Sequence, residues 1–175
     1  SPENAEARYL LGKVYLQTFS SDAALKELKR AIDLGYQESS AILLLGKAYQ
    51  QKNEHESILK EVKINNSQST DLRADLHALR AVAFLHLKDL GETKKELDKA
   101  ASYNSNRPDV RLAWAQFEKY NRNIDGQLKW LKPLLDSPEG FPDAWSQMGE
   151  IEEQRANFDA AEKSFTRAIE LRGIV

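Results

Sequence analysis

The chain of 175 residues contains no cysteine. Disulfides, thiolate metal sites and a cysteine nucleophile are therefore excluded, while the compartment stays open, since cysteine-free chains occur in oxidising and reducing places alike. Glycine is scarce at 8 residues, and no two stand as Gly-x-Gly. Neither a dinucleotide fingerprint nor a P-loop cradle can be built from that. There is no excess of one charge: Lys and Arg total 25 against 27 Asp and Glu, and no Lys/Arg run reads as a phosphate-tracking stripe. No apolar run approaches the roughly 18 residues of a membrane span, and no basic–apolar–small leader is present. The histidines number three, His55, His77 and His86, with no pair three or four apart and no HExxH. Solvated surface is the reading for His55 in the polar turn "NEHES". Glu152 and Glu153 are adjacent but read as an exposed helix face, not as two carboxyls held across a cleft. The sum is a non-enzyme with no cofactor and no metal site.

What is present is repetition. "LLGKVYLQ" at Leu10–Gln17 returns 34 residues later as "LLGKAYQQ". From Gly12, steps of 34, 35, 34 and 34 reach Gly46, Ala81, Ala115 and Gly149, all small. Three residues on stand Tyr15, Tyr49, Phe84, Glu118 and Glu152. Sixteen on stand Leu28, Val62, Leu97, Leu131 and Phe165, all large and apolar. Within each half the apolar residues follow the three-to-four step of a helix, as in Ala24, Leu28, Ala31 and Ile32. Turn-like segments separate the halves: "TFSSD", "KNEHE", "KDLGE", "NRNID" and "ANFD", several offering Ser, Asp or Asn as a helix N-cap. Each period thus reads as two antiparallel helices, with small residues where they approach and large ones filling the space between. Two departures are expected to mark the structure. "KINNSQSTD" should end the second helix of unit two near residue 63, and Pro133 should kink or fray the second helix of unit four.

The pattern resembles the tetratricopeptide repeat, whose 34-residue signature places Trp, Leu-Gly, Tyr, Ala, Phe and Ala in order. Unit five carries Trp145, Met148-Gly149, Ala161, Phe165 and Ala168; unit one carries Leu11-Gly12, Tyr15, Ala24, Leu28 and Ala31. The resemblance implies an all-α, right-handed superhelical solenoid of five helix-turn-helix units, near 5–38, 39–73, 74–107, 108–141 and 142–175. They would form a single array over residues 1–175. The start at Ser1 and the apolar Ala168, Ile169, Leu171, Ile174 and Val175 lead us to expect an excised segment of a longer repeat protein, self-associating through uncapped ends. A narrower resemblance rests on "NAEARYLLGKVYLQ", "ELKRAIDLGY", "VKINN" and "ALRAVAFLHL". These look like the repeat lipoproteins of PEP-CTERM and exopolysaccharide systems (PrsT). That likeness implies a bacterial periplasmic, outer-membrane-associated scaffold in export and protein sorting. A cytoplasmic adaptor or co-chaperone module, or a purely architectural spacer, is the alternative.

In such repeats the first helix of each hairpin lines a concave groove, and helix geometry turns particular positions inward. These are Lys13, Lys47, Val82, Gln116 and Glu150, with Gln17, Gln51, His86, Tyr120 and Gln154 one turn on, and Tyr9 one turn before Lys13. The candidate partner-binding set is therefore Tyr9, Lys13, Gln17, Lys47, Gln51, His86, Gln116, Tyr120, Glu150 and Gln154. It runs from basic to acidic, with the two tyrosines as flat anchors for a protein or peptide. The two-carboxylate clamp of chaperone-partner modules is not expected. Its positions read Tyr9, Lys13, Leu44, Asp75 and Leu79, where Asp75 would repel a carboxylate. Trp114, Trp130 and Trp145 read as core, not as a base-stacking platform, so no nucleic acid is expected.

Overall fold

The computed structural model describes residues 4–173. All regular structure among them is α-helical: α1 Ala5–Gln17, α2 Ser21–Asp33, α3 Glu38–Gln51, α4 His55–Glu61, α5 Thr70–His86, α6 Leu90–Asn104, α7 Pro108–Tyr120, α8 Ile124–Leu135, α9 Pro142–Gln154 and α10 Phe158–Leu171. They pair in chain order as five hairpins.

The turn inside each hairpin is the same object five times over. The first helix ends in a residue with positive φ: Phe19, Asn53, Lys88, Arg122 and Ala156, all between 56° and 63°. The next residue sends its N–H back to the carbonyl three residues inside the helix end: Ser20 to Tyr15, Glu54 to Tyr49, Asp89 to Phe84, Asn123 to Glu118 and Asn157 to Glu152, at 2.8–3.0 Å. The positive-φ residue closes a second, smaller ring at 2.9–3.3 Å. This is the Schellman cap, which satisfies carbonyls the helix would leave orphaned. The residue that closes it is also the N-cap of the following helix. For Asp89 and Asn123 the side chain caps as well, accepting from the N–H of Glu92 and Gly126.

The chain divides into two compact units, Ser1–Ser105 and Asn106–Val175. In the first, α1, α3 and α5 pack side by side in sequence, and α2 and α4 pack on the helices that follow them. Their core holds Leu28, Ile42, Ile58, Val62 and Leu76, all fully buried or nearly so. In the second, α7, α8, α9 and α10 pack consecutively around Ala115, Leu131, Leu134, Ala144 and Ile151. The small anchors are where helices touch. A Cβ on Gly46 would lie 2.2 Å from Leu79 Cδ2, and one on Gly149 would lie 2.6–2.8 Å from three atoms of the Phe165 ring.

α4 ends at Glu61, two residues before the expected point, and residues 62–69 form a loop. Gln68 fills that loop, its amide donating to the Lys63 carbonyl and accepting from the Asn65 N–H. Pro133 does not end α8, which runs two residues beyond it to Leu135. Proline deprives the Lys129 carbonyl of its bond, and the two remaining residues, Leu134 and Leu135, keep the last turn closed, with Asp136 N–H on the Lys132 carbonyl.

Candidate functional site

In the first unit the sequence-derived groove positions fall on α1, α3 and the end of α5, and they differ in how free they are. Lys13 and Gln17 are exposed on α1. Lys47, one repeat later on α3, is half-buried. Gln51 is exposed but tied down: its oxygen accepts from Ser21 Oγ at 2.8 Å, and its amide donates to the Leu16 carbonyl at 3.0 Å. It thereby fastens the α1–α2 turn to α3. Tyr9 is half-buried and lies flat on Tyr36, rings 4.4 Å apart. Within the proposed set, these contacts make Gln51 and Tyr9 joints of the hairpin stack as much as ligand contacts.

His55 departs from its expected place. It is not a solvated turn residue but the first residue of α4, 9% exposed, with its ring stacked on His86 at 4.3 Å and 5°. The contact joins residues 31 apart, which no local polarity could announce. Burial, then the neighbouring imidazole, pushes His55 below the ordinary histidine value, with Glu56 opposing. His86 is exposed on its outer side.

A second buried pair lies deeper in the same unit. His77 Nδ1 and Glu96 Oε2 stand 2.7 Å apart, both side chains under 10% exposed. Burial works to raise the Glu96 pKa, but the hydrogen bond to His77 and the charges of His77, Arg80 and Lys99 together hold it below the usual carboxylate value. Arg80 also donates to the carbonyls of Leu59 and Val62, fastening the end of α4 to α5. Asp75, expected to oppose a carboxylate ligand, is only 2% exposed and lies inside the stack.

In the second unit Gln116 is half-buried on α7, while Tyr120, 47% exposed, and Gln154 reach solvent. Glu150 accepts from Lys119 Nζ at 2.7 Å, an α7–α9 bridge that neutralises the acidic end expected from the sequence. Glu152, expected on an exposed face, is 7% exposed. It accepts from the Asn157 side chain at 2.8 Å, as Glu118 accepts from Asn123 at 2.7 Å. Where the repeat's aromatic gives way to Glu, the N-cap becomes Asn to meet it. Trp114 is buried as expected, stacked on Trp130 at 5.2 Å and edge-on to Phe117.

Outside the groove set, a pocket of about 440 Å³ opens on α1 and α2, lined by Arg8, Lys26, Glu27, Lys29, Arg30 and Asp33. Within it Arg8 pairs with Glu27 at 2.5 Å, and Lys29 reaches out of it to Glu61 at 3.5 Å. Among the described residues no three His, Cys, Asp or Glu stand together as metal ligands, and no helix is long and apolar enough to cross a membrane.

Comparison with known proteins agrees with this architecture. The tetratricopeptide repeat profile matches residues 5–34 and 142–173. No curated protein matches the chain. Among solved structures, the MamA protein is similar at 19% identity over 99% of this chain and 94% of its own, with a TM-score of 0.52. YrrB, described as a TPR protein with an unusual peptide-binding site, is similar at 17% identity over 97% of this chain and 87% of its own, with a TM-score of 0.50. The fold is that of the tetratricopeptide-repeat proteins, whose profile two segments of this chain match.

Proposed function

We propose that the chain is a non-catalytic scaffold that binds an extended protein segment along the α1–α3–α5 layer of its first unit. One observation carries this: α1, α3 and α5 lie side by side, so that Lys13 and Lys47, then Gln17 and Gln51, occupy equivalent positions on neighbouring helices. Such a ladder sets cations and amides at regular spacing, Lys13 and Gln17 exposed and Lys47 and Gln51 held by contacts of their own, and an acidic peptide is the partner it suits. The peptide-binding site ascribed to YrrB supports this class of activity. Tyr120, Gln116, Glu150 and Gln154 form a second, charge-balanced contact region in the other unit.

The test is capture of acidic peptides from a displayed library, followed by titration against Lys47→Glu and Tyr120→Ala. Lys47→Glu should weaken binding about tenfold or more at low salt, and added salt should weaken the wild type. Unchanged affinity in both variants would remove the groove and leave an architectural role. A free acidic C-terminus should confer no advantage, because Asp75 and Leu79 are buried where a carboxylate clamp would need cations. The resemblance to exopolysaccharide-system lipoproteins makes the bacterial envelope the compartment to test first. Fractionation of the native protein decides between periplasmic or outer-membrane association and the cytoplasm.

A further inference from the structure

Four of the nine large hydrophobic side chains that stand exposed among the described residues lie between positions 10 and 19: Leu10 at 51%, Leu11 at 37%, Val14 at 51% and Phe19 at 64%. Three belong to α1. The buried side of that helix, Gly12 and Leu16, packs on α2 and α3. Its opposite side consists of exposed residues: Glu6, Ala7, Leu10, Lys13, Val14 and Gln17. Amphipathic surface helices turn polar side chains to water. α1 instead exposes about half of Leu10 and of Val14, between Glu6, Lys13 and Gln17, which marks its outer side as a contact surface. α10 differs: of its residues only Phe158 and Ile169 are large, apolar and exposed, and they lie among Asp159, Glu162, Lys163, Thr166 and Glu170. The apolar end expected from the sequence lies at the last helix, where Ala168 is buried, Leu171 half-buried and Ile169 alone exposed, while Ile174 and Val175 lie outside the described residues.

The order of residues on this side indicates what covers it. At 3.6 residues per turn, each position advances about 100° around the helix. With Leu10 at the centre, Glu6 and Lys13 fall about 40–60° to one side, and Ala7 and Val14 fall about 40–60° to the other. Let a second copy approach antiparallel, related by a two-fold axis at Leu10. The axis keeps each flank on its own side and reverses position along the helix. Lys13 of one copy then stands within about one residue rise, ~1.5 Å along the axis, of Glu6 in the other. The same happens a second time by symmetry. On the other flank Val14 meets Ala7, and at the centre Leu10 meets Leu10. A parallel approach, or a shift by one helical turn, sets like charges together or leaves them unpaired.

We propose that α1 is a self-recognition surface, on which two copies of this chain pair antiparallel through Leu10, Val14 and Ala7 and are held in register by reciprocal Glu6–Lys13 ion pairs. The apolar centre supplies the affinity, and the charge pair supplies orientation.

The experiment uses the whole chain, in sedimentation velocity over a concentration series, with circular dichroism to show that every variant is folded. The wild type should form a concentration-dependent dimer. Glu6→Lys and Lys13→Glu should each weaken it about tenfold or more. Mixed together, those two single variants should recover dimer as a heterodimer, identified by native mass spectrometry with one partner isotope-labelled, because each then presents only one sign at both positions. The double variant E6K/K13E should recover the homodimer. Leu10→Asp should abolish all of these. A wild type monomeric at every concentration would overturn the proposal. Loss of dimer in both single variants without recovery on mixing would overturn the two-fold register. Glu6 lies outside the peptide ladder and Lys47 outside this face. E6K therefore reports on pairing alone, and K47E on the ladder alone.

Discussion

Gly149→Ala adds one methyl group at a place where two helices touch. The new Cβ would lie 2.6, 2.7 and 2.8 Å from Cε1, Cδ1 and Cζ of Phe165, along one edge of a ring that cannot bend. Normal contact demands that the ring withdraw by nearly 1 Å, pushing α9 from α10. Overpacking of this kind costs about 1–3 kcal/mol. The helix gains in return, since alanine is favoured over glycine in a helix interior by roughly 0.8–1 kcal/mol. The first effect is larger over most of its range, and the net is a loss of about 0–2 kcal/mol. All three tryptophans, Trp114, Trp130 and Trp145, lie in the second compact unit, so urea unfolding followed by tryptophan fluorescence reads the affected region directly. The control is the same substitution in α6. A Cβ on Gly91 meets only Asp89 Oδ1, at 3.7 Å, an ordinary contact. Gly91→Ala should therefore stabilise by up to about 0.5–1 kcal/mol, read by far-ultraviolet circular dichroism. A Gly149→Ala protein stabilised as much as Gly91→Ala would show that the anchor is not chosen for close approach, and the packing account of the repeat would fail with it.

Three further outcomes follow from particular contacts. Ala156 holds φ at 60°, a region that costs an L-residue about 1–2 kcal/mol. Ala156→Gly should stabilise by about 0.5–1 kcal/mol after the greater freedom of the unfolded chain is deducted, whereas Asn53→Gly should change little. Gln127 is 1% exposed and its Nε2 has no hydrogen-bond partner, so Gln127→Met should raise the urea midpoint by the equivalent of about 1 kcal/mol. For His55 the folded value lies below the ordinary 6.5, so the unfolded chain takes up the proton first as pH falls. Its contribution is complete above 6.5 and lost as pH drops from there toward the native value. Melting temperature should fall through that range, and His55→Phe should flatten the fall. Glu96, lowered from 4.5, adds a separate loss only at more acid pH, as its native hydrogen bond is protonated away.

The hairpins were legible because a helix repeats its apolar contacts at fixed spacing, and Gly12, Gly46 and Gly149 mark where side chains must stay small. The break after α4 was legible from "KINNSQSTD" for the same reason: nothing apolar falls where a further turn would pack. The positive-φ corners were not, because Phe19, Lys88, Arg122 and Ala156 are none of the residues that advertise that conformation; the hydrogen bonds of the turn impose it. Position 118 with 123, and 152 with 157, did carry a signal, since Glu and Asn appear together in both units. The candidate groove was legible as a choice of helices and register. Which of its members are already engaged was not, because Gln51 meets Ser21 and Glu150 meets Lys119 through contacts 30 and 31 residues apart.

Each hairpin is closed by one residue that finishes one helix and begins the next, and this leaves the connection no slack. A residue inserted after Arg122 would rotate α8 out of its seat by about a quarter turn, since each residue advances the helix about 100°. Lengthening is absorbed elsewhere: the one 35-residue step in the series, from Gly46 to Ala81, spans the loop at 62–69. The hairpin is therefore the indivisible module of this chain, and the stretches joining hairpins are its adjustable joints, where loops or tags can be grafted without disturbing the modules on either side.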